Sequence, residues 1–338
     1  MTAVAERQGY RGAWTQALRS PVSRLVVKRL LLAIPIMLGV TILSFWVVSL
    51  IPGNAAQALL GPEATPDQIH TMELQLGLDK PAYERYLDWL GHAVRGDLGT
   101  SPVSGQPVTP QLIDGLAVTS ELLGLALIGA LVLAVPVALG AAHRPGGLFD
   151  RLSIFVSMIG LSVANYVLAL VLVLVFSVKL AMLPAIGFVP LSESVSGNLK
   201  SLILPAIAIG FPLFSIYTRF LRGDLVDQQQ SQDYVVTAQA KGVDPWRVLV
   251  RHTLRNSSFG LIAVVGLNLG VLIGVTVIIE QIFALPGLGR LLLQAVSARD
   301  MVVIQACVVV FAVVTVLGNL AADLLQTVLD PRIRYGDR

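Results

Sequence analysis

LLGLALIGALVLAVPVALGAA, residues Leu122–Ala142, runs from Glu121 to His143 without one charged or hydrogen-bonding side chain. About 20 residues of this kind make an α-helix as long as a bilayer core is thick. Working outward, five more gaps between charged residues have a similar character: Leu30 to Pro62, Leu152 to Val178, Ser201 to Thr218, Asn256 to Ile279 and Met301 to Ala322. Each has room for one spanning helix. The fourth is short and carries Pro205 and Pro212. None alternates apolar with polar residues, so a transmembrane β-barrel is excluded. The expected fold is an all-α integral membrane protein with six transmembrane helices.

Composition agrees. Of 338 residues, 55% are apolar and 13% charged, with a mean hydropathy of +0.75; soluble chains carry about 25% charged residues. An ordinary soluble domain, a disordered chain and a collagen-like chain are all excluded. The sole cysteine, Cys307, lies in an apolar run, which excludes a disulfide scaffold or a cysteine metal cluster. The net charge of +3 is too small and too unevenly spread for nucleic acid binding. The first apolar run follows a basic segment, and Ala56-Gln57-Ala58 resembles a cleavage site. Leu30 to Ile51 is nevertheless 22 residues, longer than the roughly 7–15 of a signal sequence, so a retained anchor is expected.

Lysine and arginine set the orientation. With the N-terminus inside, the cytoplasmic segments hold 17 of them and the outer loops seven. Both termini are therefore expected in the cytoplasm, and the chain divides into a tail (1–29), span one (30–51), an extracytoplasmic loop domain (52–115), a transmembrane core (116–329) and a second tail (330–338). The outer segment, with eight acidic and three basic residues, reads as a small helical cap. Thr65-Pro66-Asp67 starts one helix whose apolar face is Ile69, Met72 and Leu76 before a stop at Gly77. A second follows Pro81, with Tyr83, Leu87, Leu90 and Val94 at helical spacing.

The inner segment, 219–256, is where function is expected to be read. Ser231 to Lys241 contains no helix breaker, and Asp233 and Lys241 complement the helix dipole from its two ends. Gly242 supplies a C-terminal stop, and Asp244-Pro245 an N-cap with proline at the first helical position. Arg247, Arg251 and Arg255 then recur every fourth residue. Helix, glycine, helix is a rigid elbow suited to transmitting force from a partner; a surface loop touching lipid head groups is the plainer alternative.

The residues of this elbow, Asp233-Tyr234-Val235-Val236-Thr237-Ala238-Gln239-Ala240-Lys241-Gly242-Val243 and Arg251-His252-Thr253-Leu254-Arg255-Asn256, resemble the cytoplasmic loop of ABC-importer permeases. More narrowly, they resemble the dipeptide/oligopeptide/nickel permease family and its first, B-type, subunit. The general importer signature has Glu-Ala-Ala, a glycine four residues on, and a later Ile-x-Leu-Pro. This chain has Val236-Thr237-Ala238 and His252-Thr253-Leu254-Arg255 there, lacking the Glu, Ile and Pro as the peptide branch is expected to. Leu76-Gly77-Leu78-Asp79-Lys80-Pro81, Arg85-Tyr86 and Gly96-Asp97-Leu98-Gly99-Thr100-Ser101 are similar to that family's outer loop. Glu280 to Arg290 resembles the element after span five, and Asp330-Pro331-Arg332 the C-terminal end.

The resemblance implies a peptide-importing permease in a bacterial plasma (inner) membrane, working by alternating access. It implies a second homologous permease, two cytoplasmic ATPase subunits or a fused pair that bind ATP and Mg, and an extracytoplasmic substrate-binding protein. It also implies an ATPase-coupling loop that includes Asp233, Tyr234, Thr237, Ala238, Ala240, Lys241, Gly242, Val243, Arg247 and Arg251. Import of nickel, glutathione or an oligosaccharide by the same architecture stays open.

An enzyme is not expected: no HExxH occurs, and Gly160-Leu161-Ser162-Val163-Ala164 lacks the closing glycine of a nucleophile elbow. No phosphate-binding loop is present, so no cofactor is expected in this chain. An ion-coupled carrier needs ionisable groups deep in the membrane, whereas Glu121, Glu280 and Asp323 lie near expected span ends. Polar residues available to a pathway are Asn165, Tyr166, Asn268, Thr276 and Asn319, with hydrogen bonding between helices as the plainer role. Pro286-Gly287-Leu288-Gly289 reads as a turn returning an apolar segment to the membrane at a gate, with Glu280 and Arg290 as a potential pair.

Overall fold

Alanine recurs every fourth residue within 122–142, and that spacing decides how the bundle packs. The computed structural model describes residues 21–50, 60, 64–75 and 79–329. The tail to Ser20, the Ala56–Ala58 tripeptide, Leu76–Leu78 with its stop at Gly77, and Asp330-Pro331-Arg332 fall outside the described residues. Eleven helices are named here: α1 Pro21–Leu50, α2 Pro66–Gln75, α3 Ala82–Ala93, α4 Val108–His143, α5 Leu148–Ser162, α6 Asn165–Lys179, α7 Val195–Ser231, α8 Asp233–Ala240, α9 Pro245–Phe283, α10 Leu288–Ala298 and α11 Met301–Leu329.

Five of these (α1, α4, α7, α9 and α11) are long and apolar enough to cross a membrane. The third apolar gap, expected as one helix, is instead two: α5 and α6 meet at an angle of 102°. Val163 and Ala164 are extended between them. A 15-residue helix such as α5 rises only ~22 Å, short of a ~30 Å hydrocarbon core, so α5 and α6 together form at most one crossing. No proline or glycine marks the break. Its local signals are polar, Ser162 turning its hydroxyl back to the Met158 carbonyl (2.8 Å) and Asn165 opening the next helix; both residue types compete with the helical backbone.

Ala126, Ala130, Ala134, Ala138 and Ala142 form a buried ladder along α4. Small residues at this spacing let helix backbones approach closely in lipid, and α7 uses the ladder. A Cβ on Gly210 would lie 3.0 Å from the Ala126 carbonyl oxygen. The main core gathers here, with Leu122, Leu202, Ile209, Tyr217 and Leu221 buried. Helix α7 continues through Pro205 and Pro212 and on to Ser231, beyond the expected end of its span.

A smaller cluster closes one end, with Val108, Leu112, Leu288, Val303 and Ile304 buried together. Asp300 caps α11 through Val303 N–H (3.2 Å) and accepts a short hydrogen bond from the Ser101 hydroxyl. This holds the Gly96–Ser101 segment against the start of α11. At the opposite end, Arg29 pairs with Asp323 at 2.9 Å, so the start of α1 lies beside the end of α11.

Helix α2 begins with a reciprocal cap, Thr65 Oγ1 accepting from Gln68 N–H and Gln68 Oε1 from Thr65 N–H. Helix α3 departs from its sequence reading. Of the expected stripe, Tyr83, Leu87 and Val94 are 64%, 60% and 81% exposed and Leu90 is half-buried, and the neighbouring face meets α1. There the Tyr86 hydroxyl lies 2.9 Å from Thr41 Oγ1, the Tyr86 ring is edge-on to Phe45 at 5.6 Å, and the Arg85 guanidinium lies over Phe45 at 5.5 Å. Aromatic residues that combine packing area with a polar tip won over a purely aliphatic stripe.

Candidate functional site

The elbow expected from the sequence is present. Helix α8 ends in a Schellman motif: Gly242 has φ +75°, and Val243 N–H reaches back to the Ala238 carbonyl at 3.2 Å. Asp244 then caps α9 by accepting from Arg247 N–H at 3.1 Å, with Pro245 at the first helical position. Four residues, Lys241 to Asp244, thus separate a stopped helix from a newly capped one.

One side of α8 is held and the other is free. Val235 is fully buried, whereas Val236 is 60% exposed, beside exposed Asp233, Thr237, Ala240 and Lys241. Ala238 and Val243 are half-buried, and Arg247 and Arg251 are exposed at the start of α9. With Tyr234, Ala238 and Val243 half-buried, the other seven of the ten residues expected in a coupling loop are exposed on this surface. It combines an apolar spot, a small residue and cationic flanks.

Behind it lies an arrangement that sequence reading missed. Gln228, near the end of α7, donates to Asp224 Oδ2 (2.8 Å) and Ser257 Oγ (2.9 Å), and its Oε1 accepts from the Tyr234 hydroxyl (2.8 Å) and Asn256 Nδ2 (2.9 Å). Gln229 donates to the Ala142 carbonyl at 3.2 Å, and the Trp246 ring meets His143 edge-on at 5.2 Å. Arg222 forks onto Asp150 through Nε (2.8 Å) and Nη2 (2.6 Å), while Gly146 N–H donates to the same carboxylate at 2.8 Å. The ends of α4, α5, α7 and α9 are tied into one platform beneath α8.

A second cluster occupies the other end of the bundle. Glu280, wholly buried near the end of α9, accepts from the Thr119 hydroxyl of α4 (2.7 Å) and from the N–H groups of Gly289 (2.8 Å) and Arg290 (3.1 Å). Thr119 Oγ1 also accepts from Leu288 N–H at 2.9 Å. The first N–H groups of α10 thus converge on one carboxylate and one hydroxyl, as a helix N-terminus favours. The expected Glu280–Arg290 pairing is backbone to side chain: the Arg290 guanidinium donates instead to the Ala284 carbonyl. Gly287 and Gly289 permit the approach, since a Cβ at Gly287 would lie 2.3 Å from the Glu280 carboxyl carbon and one at Gly289 2.5 Å from Val277 Cα. Pro286 is exposed at the turn.

The remaining polar candidates do not join this cluster. Asn268 donates to Val264 of its own helix (2.8 Å) and Thr276 to Ile273 (2.8 Å). Asn165, half-buried, and Tyr166, exposed, open α6 at the bend. A groove of about 490 Å³ between α4 and α7 is lined only by apolar residues, among them Leu125, Leu133, Ile203 and Phe211.

Comparison with known proteins bears directly on these features. Residues 134–335 match the family described as binding-protein-dependent transport system inner membrane component, and residues 22–122 match its N-terminal companion. The chain belongs to this family of inner-membrane permeases. A peptide transport system permease protein of Brucella abortus (strain 2308) is 38% identical over 314 residues, covering 93% of this chain and all of the relative. The oligopeptide transport system permease protein AppB of Bacillus subtilis (strain 168) is 38% identical, with 92% and 99% covered. The glutathione transport system permease protein GsiC of Escherichia coli O6:H1 is 36% identical, with 92% and 98% covered. The permease is thus a non-catalytic membrane component of a transporter whose ATP is bound by a separate ATPase and whose substrate is delivered by a binding protein.

Proposed function

We propose that this permease is one of two related transmembrane subunits of an ATP-driven importer of di- and oligopeptides, working by alternating access. The observation that carries the reading is the elbow at Gly242: a short helix with one face free and the other anchored to the ends of α7 and α9. Helix α8 is the coupling helix, docking against one ATPase subunit of a pair, separate or fused, on the cytoplasmic side. Closure of the ATPase dimer displaces α8, and the bundle opens outward to receive peptide from the binding protein. Hydrolysis resets it inward.

The topology is six crossings with both termini inside. The Arg29–Asp323 pair supports this, because an odd number of crossings would leave those ends on opposite faces. Sidedness follows the distribution of cations, since Arg144, Arg151, Arg222, Lys241 and Arg247 all belong to the platform end. The Glu280 cluster and Pro286-Gly287-Leu288-Gly289 then lie at the outer face, where α10 forms a gate-side helix. Helices α2 and α3 meet the binding protein or cover the pathway; deletion of residues 67–94 with uptake unchanged would count against that role.

Peptide as substrate is supported by the names of the relatives, and glutathione, itself a small peptide, is the second reading on the same ground. The test is uptake of labelled di- to pentapeptides by cells with and without this chain, beside ATPase activity of the purified assembly. Uptake lost with the chain and hydrolysis stimulated by loaded binding protein are expected. Loss of glutathione uptake alone would move the substrate, and gradient-driven uptake without an ATPase would overturn the class. In the same assay Ala238→Asp should abolish import while leaving membrane insertion intact.

A further inference from the structure

We propose that Gln228 is the joint through which displacement of α8 is passed to α7 and α9. The proposal deepens the coupling reading above and rests on it. A primary amide has two N–H donors and an oxygen able to accept twice. Gln228 is buried, and all four of these capacities are used at 2.8 to 2.9 Å. The partners come from three elements: Asp224 from α7 itself, Tyr234 from α8, and Asn256 and Ser257 from α9. A saturated amide has no spare partner to exchange. Movement of the Tyr234 hydroxyl must carry Gln228 with it or leave a buried acceptor short, and the second course is costly.

The placement of these bonds along α9 gives the joint its leverage. Helix α9 does not begin as a uniform α-helix: Leu249 to Thr253 form a wide turn of the π type, which recurs at functional sites within helices. Leu249 and Thr253 are buried in it. Helix α8 reaches α9 on both sides of that turn. The Gly242–Asp244 elbow connects before it, and Tyr234 through Gln228 connects after it, at Asn256 and Ser257. A push on α8 therefore acts on α9 at two points flanking its most deformable turn, while the same amide draws on the end of α7. Gln228 is a positioning residue; it lies behind α8, away from the exposed face assigned to the ATPase.

The test uses the complete transporter reconstituted in liposomes with its ATPases and binding protein, measuring peptide imported per ATP hydrolysed. Gln228→Met keeps an unbranched side chain of similar length and removes all four hydrogen bonds. Tyr234→Phe removes only the link to α8 and guards against misfolding of the first variant. Gln228→Met is expected to retain ATP hydrolysis and to import about tenfold less peptide per ATP, within the 5–150-fold range of ordinary site-to-site coupling. Tyr234→Phe should lower the same ratio, and the double variant should be no worse than Gln228→Met alone. A ratio unchanged in both single variants, or import and hydrolysis falling in parallel, would overturn the joint. Ala238→Asp separates the two levels. If it uncouples transport while the Gln228 and Tyr234 variants do not, the joint alone fails; if it leaves the ratio intact, the coupling reading fails with it.

Discussion

Glu280 shows how one residue can fix a segment of membrane protein. A carboxylate in an apolar surrounding is expensive unless it is hydrogen-bonded. Here it is satisfied by one hydroxyl and two backbone N–H groups, and the same bonds settle where α10 starts. The cost of disturbing the arrangement is readable from its geometry. Gly287→Ala would put a methyl group 2.3 Å from the Glu280 carboxyl carbon, and overpacking of this kind costs roughly 1–3 kcal/mol. Glu280→Gln would keep one oxygen for the two N–H groups but turn its NH₂ towards the Thr119 hydroxyl, which then loses its present acceptor, at a cost of about 1–3 kcal/mol per unsatisfied group. Both variants should lower the thermal transition of the purified permease in detergent, followed by size-exclusion of the heated sample. Asp114→Asn, at an exposed position of α4, should leave it unchanged. A Glu280→Gln protein as heat-resistant as its parent would remove the cluster's structural role.

Among the elements, the seam between α4 and α7 sets the shape of the bundle. In lipid, burying a leucine against another helix gains little that lipid tails would not supply, so close backbone approach through small residues decides affinity. Ala134 is fully buried in the ladder, whereas Ile128 on the same helix is exposed. Ala134→Leu should therefore lower the yield of folded, monodisperse permease sharply, while Ile128→Ala, a change of the same three carbons, should be tolerated. Fluorescence-detected size-exclusion of tagged variants checks this, and equal tolerance of both would mean that the seam is not the organising contact. The elements also show what could be read in advance. Gly242, Asp244 and Pro245 announce the elbow because helix stops and caps are local chemistry. Gln228 announced nothing: its partners Asn256 and Ser257 lie 28 and 29 residues away, and only the packing of α7 on α9 brings them within reach. The α5–α6 break was hidden for a different reason. Val163 and Ala164 carry no turn signal, and hydropathy measures apolarity without regard to direction. On α3, helical spacing correctly gave a helix, but of its stripe only Leu90 is half-buried, because aromatic residues beside the stripe had a partner in α1.

At the scale of the whole molecule, the proposed six-crossing topology turns on the bent pair. In the proposed six-crossing topology Arg29 and Asp323 share one face, and the five long helices alone would be an odd number. The proposed topology therefore has the α5–α6 pair carry the chain across, with its 102° bend; a re-entrant excursion would return Leu180 to the side it left. Cys307 is fully buried, so single-cysteine reporters can be added without first removing it. Three exposed positions suffice: Val94 after α3, Met182 after α6 and Lys241 at the elbow. With a membrane-impermeant maleimide on intact spheroplasts, Val94→Cys and Met182→Cys should label, and Lys241→Cys should label only after permeabilisation. Met182→Cys decides between the two geometries. Protected in intact spheroplasts while Val94→Cys reacts, it would make α5–α6 a re-entrant loop. It would also set α8 and the outer cap on the same face of the membrane, where no cytoplasmic ATPase could reach the elbow.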